Sequence, residues 1–149
     1  MELHILLRNG FDYDLWANRQ WIGALGGFKA YTTEAQHVLE HILTSQRIWL
    51  ERCGVEVYDE AVDIRLDGLF ETMARTWQAR LEDVDGDEPI TYTTMRGEIY
   101  TNTISQIAYH VLNHGTYHRG HLRGLAQADG FNDFPETDLV VFLRKRDRV

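Results

Sequence analysis

The sequence predicts an all-α protein in which four long helices form a bundle and a short hairpin-like excursion separates the third helix from the fourth. Apolar residues recur every three or four positions over four long segments, which is the spacing of one helix face. Both prolines, Pro89 and Pro135, fall outside those segments. Before the fourth segment, the helical spacing gives way to threonine and tyrosine, which favour extended backbone.

The first two helices are delimited by glycines and by a threonine cap. The first covers about residues 3–25 and is ended by the glycine pair that follows it. The second begins at a cap on Thr32 or Thr33, continues to about Arg52 and stops at Gly54.

The third helix has the most regular apolar stripe of the chain, over residues 66–84. Asp85 and Gly86 end it, because neither residue favours continuation of a helix. The pattern of residues 90–100 then predicts an extended excursion with a turn at Gly97.

The fourth helix starts near Asn102 or Thr103 and runs to about Ala128. A short final element over residues 137–143 is either a helix or a strand. Because the chain has 149 residues and no internal repeat, we expect a single domain that spans residues 1–149.

Charge and composition exclude several classes of protein. The net charge of −8 argues against a general nucleic-acid binder, which needs a basic surface. One basic cluster, at Arg144, Lys145, Arg146 and Arg148, is interpreted as a solvated tail or as cations near a helix C-terminus. No apolar run approaches the roughly 20 residues of a membrane-spanning helix, and the N-terminal segment lacks the pattern of a signal peptide. We therefore expect a cytoplasmic protein that contacts neither nucleic acid nor membrane.

The single cysteine, Cys53, cannot form an internal disulfide. Nothing in the sequence places a base beside it, so we interpret it as incidental rather than as a nucleophile.

Histidines in the fourth helix carry the clearest functional signal. His114 and His118 are four residues apart, so a helix places both imidazoles on one face. They project close to the apolar stripe and are expected to point inward, whereas His110 and His121 lie on its flank. The pattern leaves two explanations open: hydrogen-bonded core histidines, or ligands of a metal ion that takes one nitrogen from each ring.

A third imidazole is available on the second helix. His41 lies closer to the apolar arc of that helix than His37 does, so His41 is the better candidate. Three neutral nitrogens would leave coordination positions for water or substrate, which is typical of a catalytic site rather than a closed structural one. Imidazole sites accept zinc, nickel, iron or copper.

These residues also resemble motifs of the DinB family, which is grouped with the thiol-dependent YfiT-like enzymes and is distinct from the DNA polymerase of the same name. The similarity runs through most of the chain. Its strongest element is Asn113-His114 followed by His118-Arg119-Gly120. This element corresponds to the family pattern of Asn-His, three residues, and His-Arg-Gly. Other elements are His41-Ile42-Leu43 with Arg47-Ile48-Trp49-Leu50, and more weakly Trp16-Ala17-Asn18 and Thr137-Asp138-Leu139.

The resemblance implies an up-down-down-up four-helix bundle, usually dimeric, in which three histidines hold a divalent metal ion such as zinc, nickel or iron. By position, these ligands are His41, His114 and His118. Many members have glutamine where this chain has His121, which either adds a nitrogen near the metal or replaces a hydrogen-bonding amide.

The resemblance further implies a metal-dependent transferase that joins a small cytosolic thiol, such as bacillithiol or mycothiol, to a small electrophile. A metal-dependent hydrolase is an alternative, but Glu40, the carboxylate nearest to His41, points about 100° away from it. A non-catalytic metal-binding stress or interaction protein is a third possibility. Arg119 is interpreted as a structural ion pair or helix contact, and Tyr117 as a packing residue.

Overall fold

Five α-helices and one two-stranded hairpin are present in the computed structural model, which describes residues 2–26, 33–57 and 65–146. The helices are α1 (Leu3–Gly26), α2 (Thr33–Arg52), α3 (Leu66–Asp83), α4 (Ile104–Ala128) and α5 (Leu139–Arg146), and the strands are β1 (Pro89–Thr93) and β2 (Ile99–Thr103). The predicted helices and hairpin are confirmed, and the final element is a helix. The cap predicted for α2 cannot be compared, because Thr32 and the side chain of Thr33 lie outside the described part of the chain. Within the described ranges, no helix is both long and apolar enough to cross a membrane.

Contacts between the helices establish the direction of each one. The pairs are Arg8–Glu82 and Asp12–Arg75 between α1 and α3, His41–His118 and Trp49–His110 between α2 and α4, and Gly10–Leu112 and Asp14–Arg119 between α1 and α4. Helices α1 and α3 are therefore antiparallel, as are α2 and α4, whereas α1 and α4 are parallel. These directions confirm the up-down-down-up bundle.

Large aromatic side chains fill the centre of the bundle. Phe11 of α1 stacks on Trp77 of α3 with ring centroids 5.3 Å apart and planes within 8°. Trp77 Nε1 donates a hydrogen bond of 3.2 Å to the carbonyl oxygen of Gln46 on α2. Both rings are completely buried, so this pair joins three helices and the indole N–H of Trp77 has a partner in the core.

The hairpin leads directly into the helix that carries most of the histidines. Strands β1 and β2 pair antiparallel, and Gly97 takes a φ of +83° in the turn between them. The hydroxyl of Thr103 accepts a hydrogen bond from the backbone N–H of Gln106, and the Gln106 side chain accepts one from the backbone N–H of Thr103. This capping box sets where α4 begins, and therefore which of its residues face α2.

Candidate metal centre

Three histidine side chains converge between α2 and α4, near the middle of the bundle. The Nε2 atom of His118 lies 3.1 Å from Nε2 of His41 and 3.0 Å from Nε2 of His114. One nitrogen from each ring lies within 4.8 Å of the other two. Two nitrogens bound to one ion at about 2.0–2.1 Å are about 3.0–3.4 Å apart, so the spacing of these rings fits a shared divalent ion. The cluster could therefore hold a metal ion.

Burial and mutual proximity favour the neutral form of the imidazoles of His114 and His118. Burial lowers the pKa of His114 to about 4, with smaller contributions from the neighbouring imidazoles, against an opposing effect of Asp14. Burial and nearby histidines also lower the pKa of His118. Because a metal binds the neutral imidazole, both rings are in the ligating form at neutral pH.

We expect the metal-free protein to lose stability as the pH falls from about 6.5 towards 4. His114 has an ordinary pKa of 6.5 when unfolded but one of about 4 when folded, so between these values the unfolded chain binds more protons. The free energy of unfolding therefore decreases as the pH is lowered, by at most about 1.4 kcal/mol per pH unit for this group. Urea unfolding with a chelator at neutral and mildly acidic pH measures the slope. The slope should be smaller in His114→Gln, and an identical slope would contradict the assignment.

The other histidines of these two helices lie outside the cluster. The ring of His110 is 5.7 Å from that of His114 and 5.3 Å from that of Trp49, measured between centroids. His37 and His121 are exposed. Over the described ranges, neither His110 nor His121 contributes an atom to the group of converging nitrogens.

The buried face of α4 is turned away from the ligands. Its buried residues are Ile104, Ser105, Ile107, Ala108, Val111, Gly115, Arg119, Leu122 and Ala126. The centre of this arc lies about 60° from His118 and about 100° from His114 around the helix. Both histidines are half-buried and lie against His41 of α2, so the prediction that they point inward is only partly correct.

A buried polar network lies behind the ligand face of α4. Asp14 of α1 accepts hydrogen bonds from Arg119 at 2.6 Å, Asn18 at 3.0 Å and Gln46 at 2.6 Å. Arg119 also donates to the side-chain oxygens of Asn18 at 2.9 Å and Thr116 at 3.2 Å. The four network residues Asp14, Asn18, Gln46 and Arg119 are at most 3% exposed. The predicted structural role of Arg119 is confirmed, because the network joins α4 to α1 and α2.

The sequence prediction overlooked the partners of Arg119. A signal was nevertheless available, because Asp14 and Asn18 project into the apolar arc of α1 and Gln46 projects into that of α2. A polar side chain in such an arc has to find a hydrogen-bond partner inside the protein.

Cys53, Tyr117 and Glu40 do not belong to the group of converging nitrogens. Cys53 is 1% exposed, and burial raises the pKa of its thiol to about 11, which agrees with an incidental role. Tyr117 is 72% exposed, and its ring meets the ring of His118 edge-on with centroids 5.1 Å apart, so it packs on a histidine of the cluster rather than in the core. Glu40 accepts a hydrogen bond of 2.8 Å from Gln36 on the exposed side of α2.

Comparison with known proteins gives two matches. The DinB family model matches residues 27–144, which include both helices of the three-histidine cluster. The chain is 24% identical to Protein DinB of Bacillus subtilis (strain 168) over 164 residues, covering 93% of this chain and 95% of that protein. No solved structure matches the chain.

Proposed function

This chain belongs to the DinB family, and from that premise we propose that it is a divalent-metal-dependent S-transferase that uses a small thiol in the cytoplasm. The observation that carries the proposal is the exposure of the three-histidine cluster. His41 is exposed while His114 and His118 are half-buried, so one side of the cluster is open to solvent. Three protein nitrogens leave a coordination position for a substrate, whereas a closed structural site needs a fourth protein ligand.

The residues around the cluster suit this chemistry. His41, His114 and His118 would hold the ion, with the buried Asp14–Arg119 pair fixing α4 behind two of them. A bound divalent ion would lower the pKa of a thiol so that its sulfur attacks an electrophile as the thiolate. Zinc, nickel and iron each suit three imidazole ligands.

We expect turnover to require both the metal and a thiol. The protein, purified without a histidine tag, would be loaded with zinc, nickel or iron and mixed with bacillithiol or mycothiol and an electrophile such as monochlorobimane. Removing the metal with a chelator should lower the rate of thioether formation by at least about 100-fold, since the ion generates the nucleophile.

Two other outcomes would contradict the transferase. Hydrolysis of a small ester or amide without thiol would favour a metal-dependent hydrolase. Stoichiometric metal binding without turnover of any thiol would favour a non-catalytic metal-binding protein.

We further propose that the protein is a homodimer, as the family resemblance implies. Exposed apolar side chains on two neighbouring parallel helices support this proposal, namely Leu3 and Leu6 of α1 and Tyr109 of α4. Light scattering should then give twice the chain mass of 17.4 kDa. A mass of one chain at micromolar concentration would contradict it.

A further inference from the structure

An arginine held against two aromatic rings lies beyond the histidine cluster, at the C-terminal end of α2. The guanidinium carbon of Arg52 is 4.4 Å from the ring centre of Trp49 and 5.1 Å from that of Tyr92. The two rings meet edge to face, with centroids 4.9 Å apart. Since Arg52 ends α2 and Tyr92 belongs to β1, the helix and the hairpin together hold this guanidinium in place.

Within the described ranges, Arg52 has no carboxylate at ion-pair distance. Its Nη2 donates to the carbonyl oxygen of Thr93 at 3.5 Å, which is a long hydrogen bond. By contrast, Arg8 and Arg75 each contact a carboxylate at 2.7 Å or less. A half-buried guanidinium that is oriented by stacking but lacks an acidic partner keeps donors available for an anion.

Ring contacts connect this arginine to the histidine cluster. The ring of His110 lies between the rings of His114 and Trp49, at 5.7 Å and 5.3 Å between centroids. Trp49 follows His41 by eight residues on α2, which is about 12 Å along the helix axis. A small molecule with one end at the cluster can therefore lie along His110 and Trp49 and reach Arg52 with the other end.

We propose that Arg52, held by Trp49 and Tyr92, is an anion-binding subsite of this centre, and that the thiol carries a carboxylate or phosphate roughly 12 Å from its sulfur. This inference rests on the proposed function, because it takes the sulfur to lie at the histidine cluster. The rings of Trp49 and Tyr92 cover one side of the guanidinium and shield that side from water, which strengthens its attraction for an anion.

The test measures thiol binding to the full-length protein loaded with cobalt, whose absorption spectrum changes when sulfur coordinates. The probes are mercaptoundecanoate, mercaptoundecylphosphonate and the uncharged mercaptoundecanol, with mercaptopropionate as an anion too short to reach Arg52. We expect the two long anions to bind about tenfold more tightly than the alcohol. Whichever of the two long anions binds more tightly shows whether a carboxylate or a phosphate is the natural group.

Two arginine variants separate the subsite from general charge. Arg52→Met should remove the preference for long anions and leave binding of mercaptopropionate unchanged. Arg123→Met is the matched control, because Arg123 also packs over a ring, that of Phe134 at 4.7 Å, but projects from the opposite side of α4. This control should keep the full preference.

Several results would overturn the subsite. If the unaltered protein binds the long anions no more tightly than the alcohol, Arg52 is not a subsite, although thiol use still stands. This comparison uses only the unaltered protein, so its result does not depend on whether Arg52→Met folds. An equal loss in both arginine variants would also refute the subsite. If no thiol changes the cobalt spectrum, the proposed function fails and the subsite fails with it.

Discussion

Replacing His114 by alanine is expected to abolish metal binding by the purified protein. Nε2 of His114 lies 3.0 Å from Nε2 of His118, and both converge with a nitrogen of His41. Losing one of three ligands should weaken affinity by more than about 100-fold, which is the upper range for losing a residue that only supports a ligand. Metal content after dialysis and competition with a chromophoric chelator measure the change.

Matched variants test whether this loss is specific to the cluster. His118→Ala should behave as His114→Ala does. His37→Ala removes an exposed histidine from α2 and should leave the affinity unchanged, as should His121→Ala, because neither ring belongs to the converging group. If His114→Ala retains its metal, the proposed ligand set is wrong; loss of metal in His121→Ala would instead make His121 a fourth ligand.

Replacing Gly115 by alanine is expected to destabilise the protein by roughly 3 kcal/mol, the scale of a broken buried ion pair. A Cβ atom at this position would lie 2.5 Å from Oδ1 of Asp14 and 3.1 Å from Nη1 of Arg119. Neither atom can yield freely, because the two are hydrogen-bonded to each other at 2.6 Å in a buried site. Urea unfolding of the metal-free protein measures the change without a contribution from metal binding.

Gly120 provides the control for this substitution. It lies in the same helix, but a Cβ atom there would meet nothing within 4 Å. Gly120→Ala should therefore stabilise the protein by up to about 1 kcal/mol, since alanine is the better helix former. If both variants were equally stable, the Asp14–Arg119 pair would not depend on close approach of the two helices. Gly115→Ala should also bind metal more weakly, because His114 is its immediate neighbour.

Local signals account for most of the fold that could be predicted from the sequence. The start of α4 follows from a capping box between Thr103 and Gln106, and the hairpin turn follows from Gly97, whose positive φ suits glycine. These signals act within a few residues, so a single sequence contains them. The segment 137–143 was ambiguous because seven residues are too few to separate a helical period from an extended one.

The candidate site was only partly predictable because its geometry is set by distant residues. The i, i+4 spacing marked His114 and His118, but periodicity placed His41 outside the apolar arc of α2. In the structure His41 is exposed and its ring contacts the rings of His114 and His118 on α4. The buried network was missed because Asp14 and Arg119 are 105 residues apart, and no local pattern specifies such a pair.

The separation of the ligands along the chain also determines when the site can form during synthesis. His41 and His118 are 77 residues apart, on the second and fourth helices. At about 5–20 residues per second, a ribosome needs roughly 4–15 s to add the second ligand helix after the first. During that interval the three imidazoles cannot converge, so an ion that needs all three nitrogens cannot yet bind there. The proposed metal loading would therefore be a late maturation step that follows completion of α4.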